Sequence, residues 1–408
     1  MNRIRAVAVK PGAVPALFGA DTLTEAIRAQ VRGAIVQIAN EELSAFIGAA
    51  AYARTEGRRG YRNGTKSRTL TTSMGTCEFA MPRAVIFEGG RRVEWRSAMI
   101  PRYARRAREV DATLVGLYFG GVNTRKVSIA LKPLLRESPL SKSSISRLTA
   151  RLKGFFESWQ TRSLAGEDIR YLYLDATYIG MRCAGRSRKL PVMAAVGVRS
   201  TGEKVLLNLK VLGSESAAAW DNFVGDLAAR GLKKPELVVT DGNKGLALVL
   251  ERLWPGMPRQ RCIVHKLWNL QSHVPKHLHD EVGADFRAIV YAEDLPGARS
   301  AYVAFVRKWR RLHESVARSL EEAGEDLLTF MRFPKEQWKS LRTTNVIERL
   351  NGAFKQRVKT QGLFPTESSV LIVLFGVVAS GMVRLRKIEG FETMGRAPTQ
   401  AVQALAVA

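Results

Sequence analysis

Three carboxylates stand where a carboxylate is unusual. Asp175 interrupts the apolar run around Leu172, Leu174 and Ile179, Asp241 closes LVVT just before Gly242, and Glu348 is the only acid between Gln337 and Thr366. Aspartate is depleted from strands because its side chain competes for backbone hydrogen bonds, and a buried charge there needs a partner. Two aspartates from adjacent strands and a glutamate from a helix packed on the same sheet can converge on divalent cations. Hard oxygen donors suit Mg2+ or Mn2+. Two such ions about 3.5–4 Å apart can activate an attacking oxygen and stabilise a leaving 3′ oxygen in an in-line phosphodiester displacement.

Each acid also has a plain structural reading. Asp175 could pair with one of many arginines, and Asp241 could be a turn or cap residue ahead of a glycine. Asn345 and Glu348, three apart, form a variant of the capping box. That cap accounts for Glu348 alone; it does not account for the polar stripe that continues through Asn351 to Lys355, opposite an apolar face of Ile347, Leu350, Phe354 and Val358.

The elements that would position these groups are legible from residue 168 onward. IRYLYLDATYIGMR, KLPVMAAVGVRS and EKVLLNLKVLG are apolar and β-rich, with CAGRSR and TG as turns. SESAAAWDNFVGDLAARG reads as a helix, PELVVTDG as a short buried strand, NKGLALVLERLW as a helix and RQRCIVH as a further strand. Three strands, helix, strand, helix, strand makes a mixed α/β sheet. Lys266 to Arg332 is helical in pattern throughout. The apolar run Val370–Val383 is too short to span a bilayer and reads as a buried helix.

Ahead of this sheet, residues 22–52 have helical spacing, and RTEGRRGYRNGTKSR predicts a flexible basic loop whose Arg58, Arg59, Arg62, Lys66 and Arg68 suit phosphate contacts. Two β-like pieces, TLTTSMGTCEF and AMPRAVIFEGG, follow. Three helical patterns, DATLVGLYF, TRKVSIALKPLL and SKSSISRLTARLKGFF, read as a helix-turn-helix. Its last helix, opened by Ser141, would present Ser143, Ser144, Arg147 and Arg151 to a major groove.

Charge narrows the partner class. Lys and Arg number 64 against 37 acids, a formal charge of +27 spread along 408 residues. Such a field seeks a polyanion, and nucleic acid fits better than a membrane surface, since no basic amphipathic helix is evident. Lys355 and Arg357 beside Glu348 would extend that track. Three scattered cysteines, Cys77, Cys183 and Cys262, argue against a disulfide framework and fit a reducing cytoplasm.

Five ordered segments, RRGYRNGTKSRTLTTSMGT with the later MPR, LDATYIGMR, VVTDGNKGL, QRCIVHKLWN and TTNVIERLNGAFKQR, resemble the transposases of the IS256 family of bacterial insertion sequences, related to Mutator-like elements. The resemblance covers residues 25–390. It implies an α+β multidomain chain, with a ribonuclease-H-like mixed α/β catalytic domain carrying an all-α insertion, preceded by helical and helix-turn-helix DNA-binding domains. The expected segments are a helical DNA-binding or dimerisation region (1–65), a small β-rich segment (66–104), a helix-turn-helix-like domain (105–165), the first part of the catalytic core (166–265), the helical insertion (266–340) and the last part with the Glu helix (341–408).

It further implies an acidic triad of Asp175, Asp241 and Glu348 holding two Mg2+ or Mn2+ ions, with Cys262, His265, Asn345 and Asn351 as support. The implied partners are double-stranded DNA, as terminal inverted repeats and target, and further copies of the chain in a homodimer or higher assembly. The implied setting is the bacterial cytoplasm at the nucleoid, and no membrane. Cys262 and His265 match the family's C-x2-H signature; His273 and His277 would be needed to complete a zinc set, so the expectation is instead a buried structural pair or one whose His265 reaches the active site or the scissile phosphate. Trp309 and Trp338 are placed either in the core or stacked on an unpaired base. A catalytically silent DNA-binding regulator and a nuclease that cuts without joining are the competing readings.

Overall fold

The computed structural model describes residues 22–53, 55–119, 142–183, 185–361 and 364–394. The chain divides into two compact units, Met1–Ala150 and Arg151–Ala408.

In the first unit, helix α1 (Thr22–Ile47) buries Ala39, Leu43 and Ile47, four residues apart on one stripe, against Phe79, Met81 and Ile86 of a small sheet. That sheet is an antiparallel meander, β1 (Gly60–Thr72), β2 (Gly75–Glu88) and β3 (Arg91–Glu94). The basic stretch expected as a flexible loop is therefore mostly strand. Thr65, Thr69, Leu70 and Thr71 suit a pleated surface, and Gly60–Thr72 pairs along its length with β2, interrupted by one irregularity between Arg62 and Thr65. Of the two β-like pieces, TLTTSMGTCEF holds the end of β1, the turn before Gly75 (φ 109°) and the start of β2, and AMPRAVIFEGG continues β2 to the next turn. Helix α2 (Arg108–Phe119) matches the first helix of the expected trio. The second, TRKVSIALKPLL, and Ser141 lie outside the described residues. The third is α3 (Lys142–Gln160), whose C-terminal half belongs to the second unit.

The second unit is built on a five-stranded mixed sheet of order β6-β5-β4-β7-β8. Its strands are β4 (Ile169–Cys183), β5 (Arg186–Arg199), β6 (Lys204–Val211), β7 (Leu237–Thr240) and β8 (Arg259–Arg261); β4 to β6 are antiparallel, and β4, β7 and β8 run parallel. Alternation along β4 sorts its side chains. Leu172 and Leu174 join Met193, Leu207 and Val238 beneath α4 (Ala217–Ala229) and α5 (Lys244–Leu253), packed through Trp220, Phe223 and Leu246. Tyr171, Tyr173, Asp175 and Thr177 occupy the opposite face.

There the tyrosine hydroxyls donate to Gln337 Oε1 (2.5 Å) and to the Ser340 carbonyl (2.9 Å). Helices covering the rest of the second unit are α6 (Ile263–Gln271), α7 (His279–Val290), α8 (Leu295–Leu312), α9 (Glu314–Ala323), α10 (Asn345–Gln361) and α11 (Glu367–Ala379). The apolar run placed in a buried helix is α11, with Val370, Val373, Leu374 and Val377 buried. Among the described residues no helix is long and apolar enough to cross a membrane.

One local assignment is corrected. RQRCIVH is not a single strand: β8 ends at Arg261, Cys262 is the N-cap position, and α6 begins at Ile263. In a strand, residues 262 and 265 would point to opposite faces; at a helix start they share one.

Candidate functional site

Asp175 lies in the middle of β4 and is buried. β7 pairs in parallel with β4 at a fixed offset, Tyr171 opposite Leu237, and 237 − 171 equals 241 − 175. Asp241, one residue past the end of β7, therefore continues the register toward Asp175. The turn that follows is tightly specified. Gly242 has a φ of 93°, and a Cβ there would lie 2.3 Å from Arg261 Nε. Asp241 Oδ1 accepts from the Asn243 N–H (3.1 Å), and Asn243 in turn caps α5 by accepting from the Leu246 N–H (3.1 Å). The turn reading of Asp241 is met through one carboxylate oxygen, Oδ1.

Glu348 arrives on the first turn of α10. The cap expected of Asn345 is made instead by Thr344, whose carbonyl accepts from the N–H groups of Ile347 and Glu348 (2.8 and 2.9 Å) and whose hydroxyl donates to Glu348 Oε1 (2.6 Å). Asn345 is exposed. Asn351, one turn on from Glu348, is buried on the face of α10 that meets β4, and its Nδ2 donates to Asp175 Oδ2 (2.7 Å). Ile347, Leu350 and Phe354 are fully buried on this helix.

Cys262 and His265 complete the cluster. Cys262 Sγ accepts from the Thr344 N–H (3.4 Å) and lies 3.2 Å from the Thr344 hydroxyl. That hydroxyl has one proton and two acceptors, and the shorter contact assigns it to Glu348. His265 Nε2 is 3.9 Å from Glu348 Oε1. The nearby Cys262 sulfur raises His265 to about 9, against burial and with help from Asp175 and Glu348, although Nδ1 makes no well-formed hydrogen bond. Burial pushes the thiol up, and the contacts from His265 and Thr344 outweigh it, leaving Cys262 below its ordinary value. Burial, then the charge of Asp241, lifts the Asp175 carboxyl to about 6, with Glu348 adding and the Ala176 backbone and His265 opposing.

The site fits hard divalent cations. Asp175, Asp241 and Glu348 supply carboxylates, and two buried side-chain oxygens without a hydrogen-bond partner among the described residues, Thr177 Oγ1 and Asn351 Oδ1, lie on the elements that carry Asp175 and Glu348. Carboxylate and amide oxygens suit Mg2+ or Mn2+. A softer set, Cys262, His265 and Glu348, has three ligand atoms within 4.8 Å. It does not make a zinc site of the usual kind, because Cys262 is already engaged by Thr344 and the proposed further ligands, His273 and His277, are both exposed and not among them.

The remaining sequence-predicted residues scatter. Trp309 is fully buried, with its Nε1 donating to Asp285 (2.9 Å), so it belongs to the core and not to a base-stacking surface. Trp338 is half-buried, donates to the Phe333 carbonyl (2.7 Å) and stands edge-on to Phe330, again a packing role. The exposed tryptophan beside His265 is Trp268 of the QRCIVHKLWN motif, edge-on at 5.4 Å.

Of the basic residues assigned to DNA, Arg58 donates to the Gly60 and Ala53 carbonyls, and Arg62 to Asn40 and Ser44. Arg68 reaches the carbonyls of Ile100, Pro101, Arg102 and Ala104. These three guanidiniums fasten the first unit. Arg59, Lys66, Arg147, Arg151 and Lys355 are exposed, and Arg357 is half-buried. Ser143 and Ser144 fall on α3, but their side chains lie outside the described part. Thr344 was missed; its signal, a threonine four residues before a lone acid at a helix start, was present in the sequence.

Against known proteins, residues 13–383 match the family described as Transposase, Mutator family. The chain is 34% identical over 347 residues to the transposase for insertion sequence element ISRM5 of Rhizobium meliloti (strain 1021), covering 85% of each. It is 32% identical to that of IS905 of Lactococcus lactis subsp. lactis (86% of this chain, 89% of the relative). It is 30% identical to that of IS256 in transposon Tn4001 of Staphylococcus aureus (82% and 84%). A solved Drosophila P element transposase strand transfer complex aligns over 78% of this chain and 87% of its own at 8% identity and a TM-score of 0.30, a likeness too slight to build on.

Proposed function

The chain belongs to the Mutator family of transposases, and from that premise we propose that it binds the terminal inverted repeats of an insertion sequence, cleaves the element ends and joins their 3′ hydroxyls to target DNA. The observation that carries this reading is the register that continues Asp241 toward Asp175, with Asn351 of the Glu348 helix hydrogen-bonded to Asp175 and Glu348 itself 3.9 Å from His265. That sheet, with helices on both faces and its acids near the centre, supports a ribonuclease-H-like catalytic domain, and the helices between β8 and α10 support an inserted all-helical domain.

In this mechanism Asp175, Asp241 and Glu348 would hold two magnesium or manganese ions, which when bound activate the attacking oxygen and stabilise the leaving 3′ oxygen. Asn351 fixes the Asp175 carboxylate through its amide, and Thr344 fixes Glu348 through its hydroxyl. His265 Nε2 stands 3.9 Å from Glu348 Oε1, within reach of the acids. The surplus of basic residues holds the DNA, and paired ends call for a homodimer or higher assembly working at the bacterial nucleoid.

Replacing Asp175, Asp241 or Glu348 by Ala is expected to abolish cleavage of end-bearing DNA in magnesium or manganese while binding stays within a few-fold. Normal cleavage by Glu348→Ala would sink the triad. Binding with no nicking by the native protein would favour a silent regulator, and cutting without joining a nuclease.

A further inference from the structure

The strongest feature that the acidic cluster does not absorb is a basic cavity on the far side of α10. It has a volume of about 470 Å3, and its charged lining is Lys204, Lys339, Arg349, Arg384, Arg386 and Lys387 against one acid, Glu389. Asn345, Val346, Arg349 and Leu350 of α10 form one wall. Glu348 and Asn351 leave the same turn of helix toward β4, so the cavity and the acids are two sides of one helix start.

The other wall is an irregular segment after α11, and it is held in place deliberately. The Ile388 N–H donates to the Gly202 carbonyl (3.1 Å), the Glu389 N–H to Ser340 Oγ (3.1 Å), and Gln337 Nε2 to Thr393 Oγ1 (2.8 Å). Gln337 is the same side chain that accepts from Tyr171 on β4. Gly202 and Gly390 have φ of 80° and 73°, and a Cβ at either would overlap Phe391 or the Glu336 backbone, so the strap cannot slide. Anchored this way it delivers Arg384, Arg386 and Lys387 to a place where cations already stand.

Bringing like charges together is unfavourable unless something answers them. Within the cavity Lys339 pairs with Glu389 (2.8 Å) and Lys387 lies over the Phe391 ring (4.4 Å). Among the described residues Lys204, Arg349, Arg384 and Arg386 have no carboxylate within 4.0 Å. Burial, then the charge of Arg349, pushes the Lys204 ammonium below its ordinary range. The volume is that of a small ligand site, and planar guanidiniums suit phosphate oxygens.

We infer that this cavity seats backbone phosphates of a DNA strand and so holds that strand against the helix that carries Glu348. The inference rests on the proposed reading that the acids cleave DNA, and it assigns the neighbouring phosphates a fixed seat independent of sequence.

The test uses the full chain in an Asp175→Asn background, so that binding is read without turnover, and a random-sequence duplex as probe. Arg384→Ala with Arg386→Ala is expected to lower the slope of log affinity against log salt by about 1 to 2, since each phosphate contact contributes about 0.9. Arg384→Lys with Arg386→Lys is expected to restore most of it, which separates lost contacts from lost folding. Glu389→Gln is expected to tighten binding.

An unchanged slope in the alanine variant would overturn the inference. So would inorganic phosphate protecting the native protein, but not the variant, from thermal unfolding while the DNA slope stayed the same, because the cavity would then take a free anion. Cleavage by the native protein is assayed separately. An unchanged slope with intact cleavage removes only the phosphate seat, whereas a changed slope with no cleavage removes only the catalytic reading.

Discussion

At the scale of single residues, the hydroxyl of Thr344 is where helix capping meets the proposed chemistry. It donates to Glu348 Oε1 and touches Cys262, so a Glu348 carboxylate left without it would lose its fixed rotamer. Thr344→Val keeps the shape and removes the donor. A hydrogen bond to a charged group contributes about 1.5–3 kcal/mol, which corresponds to roughly a 10- to 100-fold loss in cleavage rate if it acts on the transition state. End binding is expected to stay within a few-fold and Thr344→Ser to recover most of the rate; a valine variant that cleaves like the native protein would reduce Thr344 to a cap. Asp175 stands out in the sequence because a carboxylate in an apolar strand is out of place, and the structure buries it in mid-strand. Its companions were harder. Asn351 reads as one polar residue among several, and only its burial against β4 separates it from exposed Asn345. For the tryptophans, sequence offers no measure of burial, and Trp309 proved wholly enclosed.

Elements of the second unit follow from local pattern: long apolar runs gave strands, and α4, α5 and α11 fall where periodicity or sustained apolarity puts them. Pattern failed where a few residues switch element. RQRCIVH is apolar enough for a strand, but the parallel pairing of β7 and β8 covers only three residues, and the chain turns into a helix at Cys262. It failed again at Gly60–Thr72, where charge density hid a strand whose partner is supplied by tertiary pairing. The Asp241 turn shows how tightly an element can be set. Gly242→Ala forces a side chain onto a φ of 93° and into Arg261, and is expected to destabilise by about 1–3 kcal/mol from backbone strain alone, with cleavage falling further as Asp241 leaves register. Gly57→Ala, at a φ of 83° with open space around it, supplies the comparison. Equal losses in the two variants, read by chemical denaturation, would show that the Arg261 contact does not constrain the turn.

For the whole molecule, a formal charge of +27 is compatible with folding where the charges stay at the surface. Among the described residues Lys266 is the one buried basic side chain. It is fully buried in the helices of the second unit, its ammonium donating to Asn269 (3.2 Å), Ser319 (3.0 Å) and Glu322 (3.2 Å). Burial, then the charge of Arg261, lowers it to about 8, with Glu322 opposing. The sign of the consequence follows from proton counts. Between about pH 8 and 10.5 the unfolded chain keeps this proton while the folded one releases it, so folding stability contributed by this group rises with pH across that window and is lower below it. One proton sets the limit at about 1.4 kcal/mol per pH unit. Lys266→Met removes the titrating group and leaves few polar atoms stranded, since Ser319 still donates to Asn269 and Glu322 keeps Arg261. Denaturation midpoints taken from pH 8 to 10 are therefore expected to climb more steeply for the native protein than for the methionine variant. Taking the difference between the two cancels the other titrating groups, including the buried tyrosines Tyr171 and Tyr173, whose raised values act in the opposite direction at the alkaline end. Parallel pH profiles would mean that Lys266 keeps its proton in the folded protein, held by Glu322 as a buried ion pair.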